Sequence, residues 1–507
     1  MSNIYFTFFL SLVLIGTDFL VNLFYPNFYI YSSKFTIQEI IITIVLSLLI
    51  SFLSKINRVF FSLLLILFSF SQVVFFIFFH SYIQYYHIQL LFTEYSDIID
   101  ALSFGLISHI VIIIIFIFLI IVFINMYINR KFKFQTHKQI NRFFYILLIS
   151  LPIMTAIKPK IFLVTPIHFS YINTIFSLSF AIKENLKFKI KGDFKSYIIE
   201  RSNEGEQNII VIMGESLSSK RMGLFGYRLT NQSNTPNLDR LKNNLNFFYA
   251  QAISSGVNTP VSILSFFNIK REPENMELIY SEKTNLLKLA KDNGYKTFWF
   301  STQEEGSSIS TILKYAETIK VRKDYIKPVF DDMLLEDLKK IDFSKKNFIV
   351  LHFRANHSPY AKYIRDEFNN IDYSDMDYHT YKISSYNQSI LYIDTVLNDI
   401  FNYLKDKKFT LYFTSDHGER LGYVDDDFKY GHSQLNYEVA KVPFIIYSDK
   451  EIQFTHKLYT HYEIGKLIAR NMGYNIINPN DNNKTYYING VNINGEAGFL
   501  TLEYHIK

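Results

Sequence analysis

Three apolar runs in the second half of the chain each end in residues able to hold a metal or move a proton. "NIIVIM" is followed by Gly214-Glu215-Ser216, "NFIVLHF" by Arg354-Ala355-Asn356-His357, and "TLYFTS" by Asp416-His417-Gly418-Glu419; His432 comes a little later in "KYGHS". Such runs read as buried strands, and in open α/β sheets ligands bind beyond the carboxyl ends of the strands. Singly, each residue has a plainer role. Glu215 suits a first helical turn, Asp416 a loop cap, His417 and His432 an exposed loop, and His357 a turn beside Ser358-Pro359. Together, two carboxylates and three histidines brought to one sheet edge make a metal-site pattern. Neutral imidazole with carboxylate suits zinc, and a carboxylate-rich set also suits manganese.

A sixth residue raises a sharper question. In "GVNTPVSIL", Thr259 precedes Pro260 and an apolar run. Proline is favoured in a first helical turn and threonine caps helices, so Thr259 is expected where a helix begins. Its hydroxyl either caps that helix or does chemistry there.

The elements that must position these residues follow from the same patterning. "NIIVIM", "KTFWF", "NFIVLHF", "TLYFTS" and "PFIIY" read as strands, while "TPNLDRLKNN" and "YNQSILYIDTVLNDIFNYLK" read as helices. This alternation predicts an α/β domain with a mostly parallel sheet over residues 206–507. There are no cysteines, which excludes disulfides, thiolate zinc sites and cysteine nucleophiles. The net charge of +6 is spread out, and no basic patch interleaved with aromatics points to nucleic acid.

The first part of the chain differs in kind. Residues 1–129 hold eight charged side chains, and apolar segments lie at about 4–25, 37–53, 59–79, 110–128 and 143–161. Five helical spans over residues 1–164 are therefore expected. The first lacks a basic start and a cleavage site, so it reads as a span rather than a leader. Lys55, Arg58, Arg130, Lys131, Lys133, Lys138 and Arg142 fall in loops on one side and Lys34 on the other. That bias puts the amino terminus inside and everything after residue 162 outside the cytoplasm. Residues 165–205 read as an interfacial connector. Asp18 lies in the first span near its outer end, within reach of water. Gln89, Thr93 and Asp97 recur every four residues in "HIQLLFTEYSDIIDAL", so a helix would align them on one polar face.

The set "VIMGESLSSKRMGLFGY", "TPNLDRL", "SSGVNTPVSILSFF", "LHFRANHSPY", "YNQSILYIDTVL" and "TSDHGERLG", in this order over about residues 208–450, resembles the phosphoethanolamine transferases. These are membrane-anchored members of the sulfatase and alkaline phosphatase superfamily. The resemblance implies that Glu215, Asp416 and His417 bind one or two zinc ions, with Thr259 as both a ligand and the nucleophile. It implies that His357 and His432 serve the transferred group or a second metal, and that the helix bearing Gln89, Thr93 and Asp97 holds the ethanolamine end. It further implies a periplasmic catalytic domain on a multi-pass inner-membrane anchor. A monomer would take phosphoethanolamine from phosphatidylethanolamine and pass it to an envelope glycolipid, lipid A or lipopolysaccharide core. Ser255 and Ser265 stand where many members have paired cysteines, and Thr302-Gln303 where Asn-Gln is frequent. A sulfatase needs a Cys or Ser followed by Pro and Arg, and Pro260-Val261-Ser262 lacks the arginine. A phosphoglycerol transferase shares the anchor, the threonine and the metal. A membrane-anchored binding protein with a dead site fits poorly with an intact metal set.

Overall fold

The computed structural model describes the chain except residues 26–27, 30–32, 80–81, 84–87, 89–107, 158–163, 166, 187–194, 203, 229–230, 305–306, 370–375, 425–426, 433, 456, 482–484, 494–497 and 504–507. Gln89, Thr93 and Asp97 thus lie outside the described residues. The chain divides into two compact units, Met1–Lys189 and Ile190–Lys507.

The first unit is helical: α1 (Ser2–Phe24), α2 (Ser33–Ser51), α3 (Lys55–Phe79), α4 (Ser108–Lys131), α5 (Lys138–Ile157) and α6 (Ser170–Leu186). Each expected apolar segment overlaps a helix, but among the described residues the clear spans number fewer than five. Among the described residues, two helices are long and apolar enough to cross a membrane, Ser2–Phe24 and Lys55–Ile77. The apolar helix Phe35–Ser51 is shorter, reaching about 25 Å at 1.5 Å per residue against a hydrocarbon core of ~30 Å. On α1, Phe6, Leu10 and Leu14 are buried while Ile4, Phe8 and Leu12 stand exposed, so the helix is apolar on both faces.

Asp18 is not at a wet end as the sequence suggested. It is buried, and its carboxylate accepts Ser170 N and Ser170 Oγ, both at 3.0 Å. Glu39 of α2 accepts Phe169 N at 2.7 Å and meets His168 Nδ1 at 2.6 Å. Two carboxylates therefore occupy the amino-terminal end of α6, where unpaired N–H groups and the helix dipole favour negative charge.

The second unit is built on an eight-stranded sheet. Its strands are β1 (Asn208–Gly214), β2 (Phe247–Ile253), β3 (Lys296–Ser301), β4 (Thr318–Lys320), β5 (Asn347–His352), β6 (Thr410–Ser415), β7 (Lys441–Ser448) and β8 (Tyr459–Thr460). They lie in the order β8-β2-β7-β6-β1-β5-β3-β4. The sheet is mostly parallel, as expected, but contains one reversed strand: β7 runs antiparallel to both β2 and β6. The remaining neighbours are parallel.

Period-two alternation splits the strands between two cores. Ile209, Val211 and Met213 of β1 face one layer, with Trp299, Phe348, Phe266 and Phe267. Ile210 and Ile212 face the other, with Tyr386, Ile390, Ile393 and Leu397 of the long helix Tyr378–Leu404. A sheet covered on both faces has central strands buried throughout and largely apolar, as β1, β5 and β6 are. Trp299 is fully buried. Trp299→Ala is expected to destabilise the protein by about 3–5 kcal/mol, measured by denaturant unfolding.

Candidate metal centre and active site

Parallel pairing sets the site. β1 and β6 are neighbours in a register that puts Gly214 opposite Ser415, so both strands end at the same level. The next residues, Glu215 and Asp416, emerge side by side, and both are buried. Ser216 takes a left-handed backbone (φ 52°), which turns the chain sharply. Its N–H then donates to Asp416 Oδ1 at 3.0 Å, and its hydroxyl to Glu215 Oε1 at 2.7 Å.

His417 is fully buried. Its Nδ1 lies 2.9 Å from the Gly418 carbonyl and so carries the proton, leaving the Nε2 lone pair facing inward. That nitrogen lies 3.3 Å from Asp416 Oδ2 and 3.6 Å from Glu215 Oε1. Burial and the neighbouring charge of His432 push the His417 pKa down to about 4, so the imidazole is neutral. Burial raises that of Asp416. Asp416 Oδ2 is buried with no hydrogen-bond donor among the described residues. Donor atoms of Glu215, Asp416 and His417 lie within 4.8 Å of one another. Two carboxylates, a neutral imidazole and an orphaned oxygen fit a divalent cation.

Thr259 is the first residue of α7 (Thr259–Phe267), but it is not the cap. Asn258 fills that place, its Oδ1 accepting Val261 N at 3.0 Å. Both types cap well, and asparagine ranks above threonine. The Thr259 hydroxyl is thereby released to the site, donating to Glu215 Oε2 at 3.2 Å and lying 3.4 Å from His417 Nε2. The helix start offers fewer backbone donors than a bare first turn, since Pro260 has no N–H and Asn258 takes that of Val261.

His432 stacks on His417, with ring centroids 4.3 Å apart, and His357 comes next, 6.5 Å from His432. The three histidines named from sequence therefore stand in a row. His432 Nδ1 meets Glu419 Oε2 at 3.1 Å. Burial opposes its charge, but that hydrogen bond and the carboxylates of Glu419, Glu215 and Asp416 push its pKa up to about 9.

Several residues near the site went unassigned from sequence. Gln303, just past β3, donates Nε2 to Glu215 Oε2 at 3.0 Å and to the Phe353 carbonyl at 2.6 Å. Glu419 is buried and also accepts the Tyr360 hydroxyl at 2.9 Å. Lys382 is buried, donates to Ser358 Oγ at 2.9 Å and lies 4.8 Å from the Tyr430 ring centroid and 5.1 Å from that of Tyr360. Burial pushes its pKa down to about 8. Gln303 and Glu419 follow strand ends, the signal that found the others.

The profile of the sulfatase family matches residues 207–474. The chain belongs to the sulfatase family. Among its relatives, the putative transferase YhbX of Escherichia coli K12 is 27% identical over 253 residues, 48% of this chain and 43% of that protein. The phosphoethanolamine transferase EptC of E. coli K12 is 25% identical over 318 residues, 57% of this chain and 52% of that protein. The chain thus matches about half the length of these curated relatives. Among solved structures, the integral membrane protein EptA of Neisseria meningitidis superposes with a TM-score of 0.60 at 16% identity, covering 93% of this chain and 95% of that one. The periplasmic domain of E. coli EptC, solved with zinc, gives a TM-score of 0.52 at 18% identity over 60% of this chain and 95% of that one. The resemblance drawn from the motifs is borne out, and the structural likenesses carry the fold.

Two outcomes are expected of this centre. The purified protein holds a divalent cation that Asp416→Ala or His417→Ala removes, read by elemental analysis. In metal-free protein, the His432–Glu419 pair stabilises the fold fully between pH 4.5 and 6.5, and its contribution is lost as pH rises through about 9 and as Glu419 protonates in acid. Glu419→Gln flattens that pH dependence of the unfolding midpoint.

Proposed function

We propose that the protein transfers phosphoethanolamine from phosphatidylethanolamine to an envelope glycolipid, lipid A or lipopolysaccharide core, through a phosphothreonine ester at Thr259. One observation carries the reading: Asn258 caps α7, so the Thr259 hydroxyl is free to face Glu215 and His417. A hydroxyl at the tip of a helix, among metal ligands, is placed for attack rather than for capping.

Glu215, Asp416, His417 and Thr259 would hold the metal, zinc or manganese. When bound it acidifies the threonine hydroxyl and offsets charge on the phosphoryl oxygens. The Thr259 hydroxyl loses its proton to solvent, its oxygen attacks phosphorus, the bond from phosphorus to the diacylglycerol oxygen breaks, and that oxygen takes a proton from His432. His432 gives Nδ1 to Glu419, so in its charged form Nε2 carries the proton to hand over. His357, next in the row, lines the path of the transferred group. An acceptor hydroxyl or phosphate then attacks the phosphothreonine ester and releases Thr259, returning a proton to His432 when the acceptor is a hydroxyl. Gln303 orients Glu215 throughout.

The lipid donor accounts for the apolar helical unit. The five apolar segments are read as spans of the inner membrane, with the catalytic unit in the periplasm. Gln89, Thr93 and Asp97 are assigned to the membrane-side contact with the ammonium of the donor. The names of EptC and of the zinc-bound EptC domain agree in activity class and metal.

Thr259→Ala is expected to abolish transfer while the protein still folds and binds metal, and Thr259→Ser to retain measurable activity. Wild-type protein incubated with phosphatidylethanolamine and no acceptor should gain a phosphoethanolamine mass on the peptide containing Thr259. A glycerophosphate mass from phosphatidylglycerol instead would assign the phosphoglycerol transfer reaction. Near-normal turnover by Thr259→Ala would remove Thr259 from the chemistry.

Topology gives a separate check. A reporter fused after Lys133 should report cytoplasm, and one after Lys507 the periplasm. A cytoplasmic carboxyl terminus would rule out the lipid donor.

A further inference from the structure

The residue that joins the two arms of the site is His461. It opens the helix α8 (His461–Asn471), whose start is fixed by a reciprocal cap between Thr460 and Glu463. The ring is fully buried and meets Phe266 of α7 edge-on, with centroids 5.1 Å apart. On one side, Nδ1 accepts the Ser255 backbone N–H at 3.3 Å and lies 3.3 Å from Ser255 Oγ. On the other, Nε2 lies 3.0 Å from the Ser415 carbonyl. An imidazole that accepts a backbone N–H at Nδ1 must hold its proton at Nε2, so both bonds are made by the neutral form. Burial pushes the ring's pKa down to about 3, which keeps it in that form.

The positions of the two partners matter more than the bonds themselves. Ser255 lies in the turn that leads into Thr259. Ser415 is the last residue of β6 and directly precedes Asp416 and His417. A single rigid ring therefore spans from the nucleophile's turn to the strand end that supplies two ligands. The turn is tightly packed: a Cβ on Gly256 would come within 2.7 Å of Val261 Cγ1. Ser254 adds a second tie beside the ring, its hydroxyl donating to the Asp416 carbonyl and lying 2.8 Å from the Gly256 carbonyl. Neither Ser255 nor Ser415 offers a ligand, so His461 acts only through geometry.

We propose that His461 is a positioning residue, a neutral buried strut that sets the distance between Thr259 and the Asp416–His417 pair. The proposal rests on the reading of Thr259 as nucleophile for its effect on turnover, but not for its effect on metal binding. Groups that orient metal ligands from behind are typically worth 10–100-fold in affinity or activity, and small misplacements of reacting atoms cost turnover in the same range.

The test uses the full chain in detergent with His461→Phe, His461→Gln and His461→Asn. Phenylalanine keeps the packing on Phe266 and loses both hydrogen bonds. Glutamine keeps a donor and an acceptor, while asparagine is too short to span both partners. Zinc affinity is read by chelator competition, kcat and KM with phosphatidylethanolamine as donor, and amide exchange over residues 254–259. His461→Phe is expected to weaken zinc binding and lower kcat, each by roughly 10–100-fold, with the donor KM within about twofold of wild type. Exchange over 254–259 should speed up while the sheet strands stay protected, and His461→Gln should recover most of each loss. If the phenylalanine variant does not fold, His461→Asn must show the same losses. Wild-type zinc affinity and wild-type exchange in His461→Phe, or in His461→Asn where it replaces it, would overturn the proposal. So would equal losses in all three variants together with equal drops in unfolding midpoint, since packing alone would explain them. If the wild-type protein transfers nothing, zinc affinity and exchange still decide the role of His461, and the reading of Thr259 falls by itself.

Discussion

A carboxylate oxygen and an imidazole nitrogen lie 3.3 Å apart in a dry pocket with no hydrogen between them. Two lone pairs so placed repel, and an unpaired buried carboxylate is costly by several kcal/mol. A divalent cation held by Asp416 and His417 would turn this repulsion into attraction. The surrounding structure is consistent with that one constraint. Gly418 fixes the tautomer of His417, Ser216 fixes one oxygen of Asp416, and Gln303 fixes one oxygen of Glu215. Asp416 Oδ2 is left without a donor among the described residues.

The same constraint explains why the sheet is mixed. A parallel neighbour for β6 would need a long crossover, usually a helix that packs on a sheet face. With β7 antiparallel, the connection between β6 and β7 stays at one end of the sheet. That connection carries Asp416, His417, Glu419 and His432, and the hairpin Arg420–Val424 with Asp427–Gly431 presents His432. One reversed strand thus keeps four site residues on a short path beside Glu215.

Much of this was legible in the sequence, for definable reasons. β1, β3, β5, β6 and β7 announce themselves as buried runs, and the rule that ligands sit beyond strand ends picks out Glu215, His357, Asp416 and His417. The direction of β7 is not written in "PFIIY", because an apolar run buries equally well either way up. β2, "FFYAQAI", hid because Tyr249 and Gln251 interrupt its apolar face. Asn258 and Thr259 are both capping types, and only the fold shows which one uses its side chain that way. Gln303 and Glu419 carried the same strand-end signal as the ligands, whereas Lys382 and His461 owe their roles to partners from other strands and loops, so their own neighbourhoods carried little signal. In the helical unit, Asp18 looked solvated because its pairing with Ser170 spans 152 residues of sequence.

The charges around the centre form a graded set rather than a single pair. Glu215 and Asp416 match a divalent cation. Behind them Glu419 sits between two cationic groups, hydrogen-bonded to His432 and joined to Lys382 through Tyr360, whose hydroxyl it accepts and whose ring the lysine faces. With the cation in place, these groups leave a single positive charge on the side of His432 and Lys382. Under the proposed reaction, that balance suits an anionic phosphodiester donor. Burial matters here as much as charge, because low local polarity strengthens each of these interactions and makes any uncompensated one expensive. The hydrogen bond to Glu419 and the carboxylates of Glu419, Glu215 and Asp416 together hold the proton on His432 against the cost of burial.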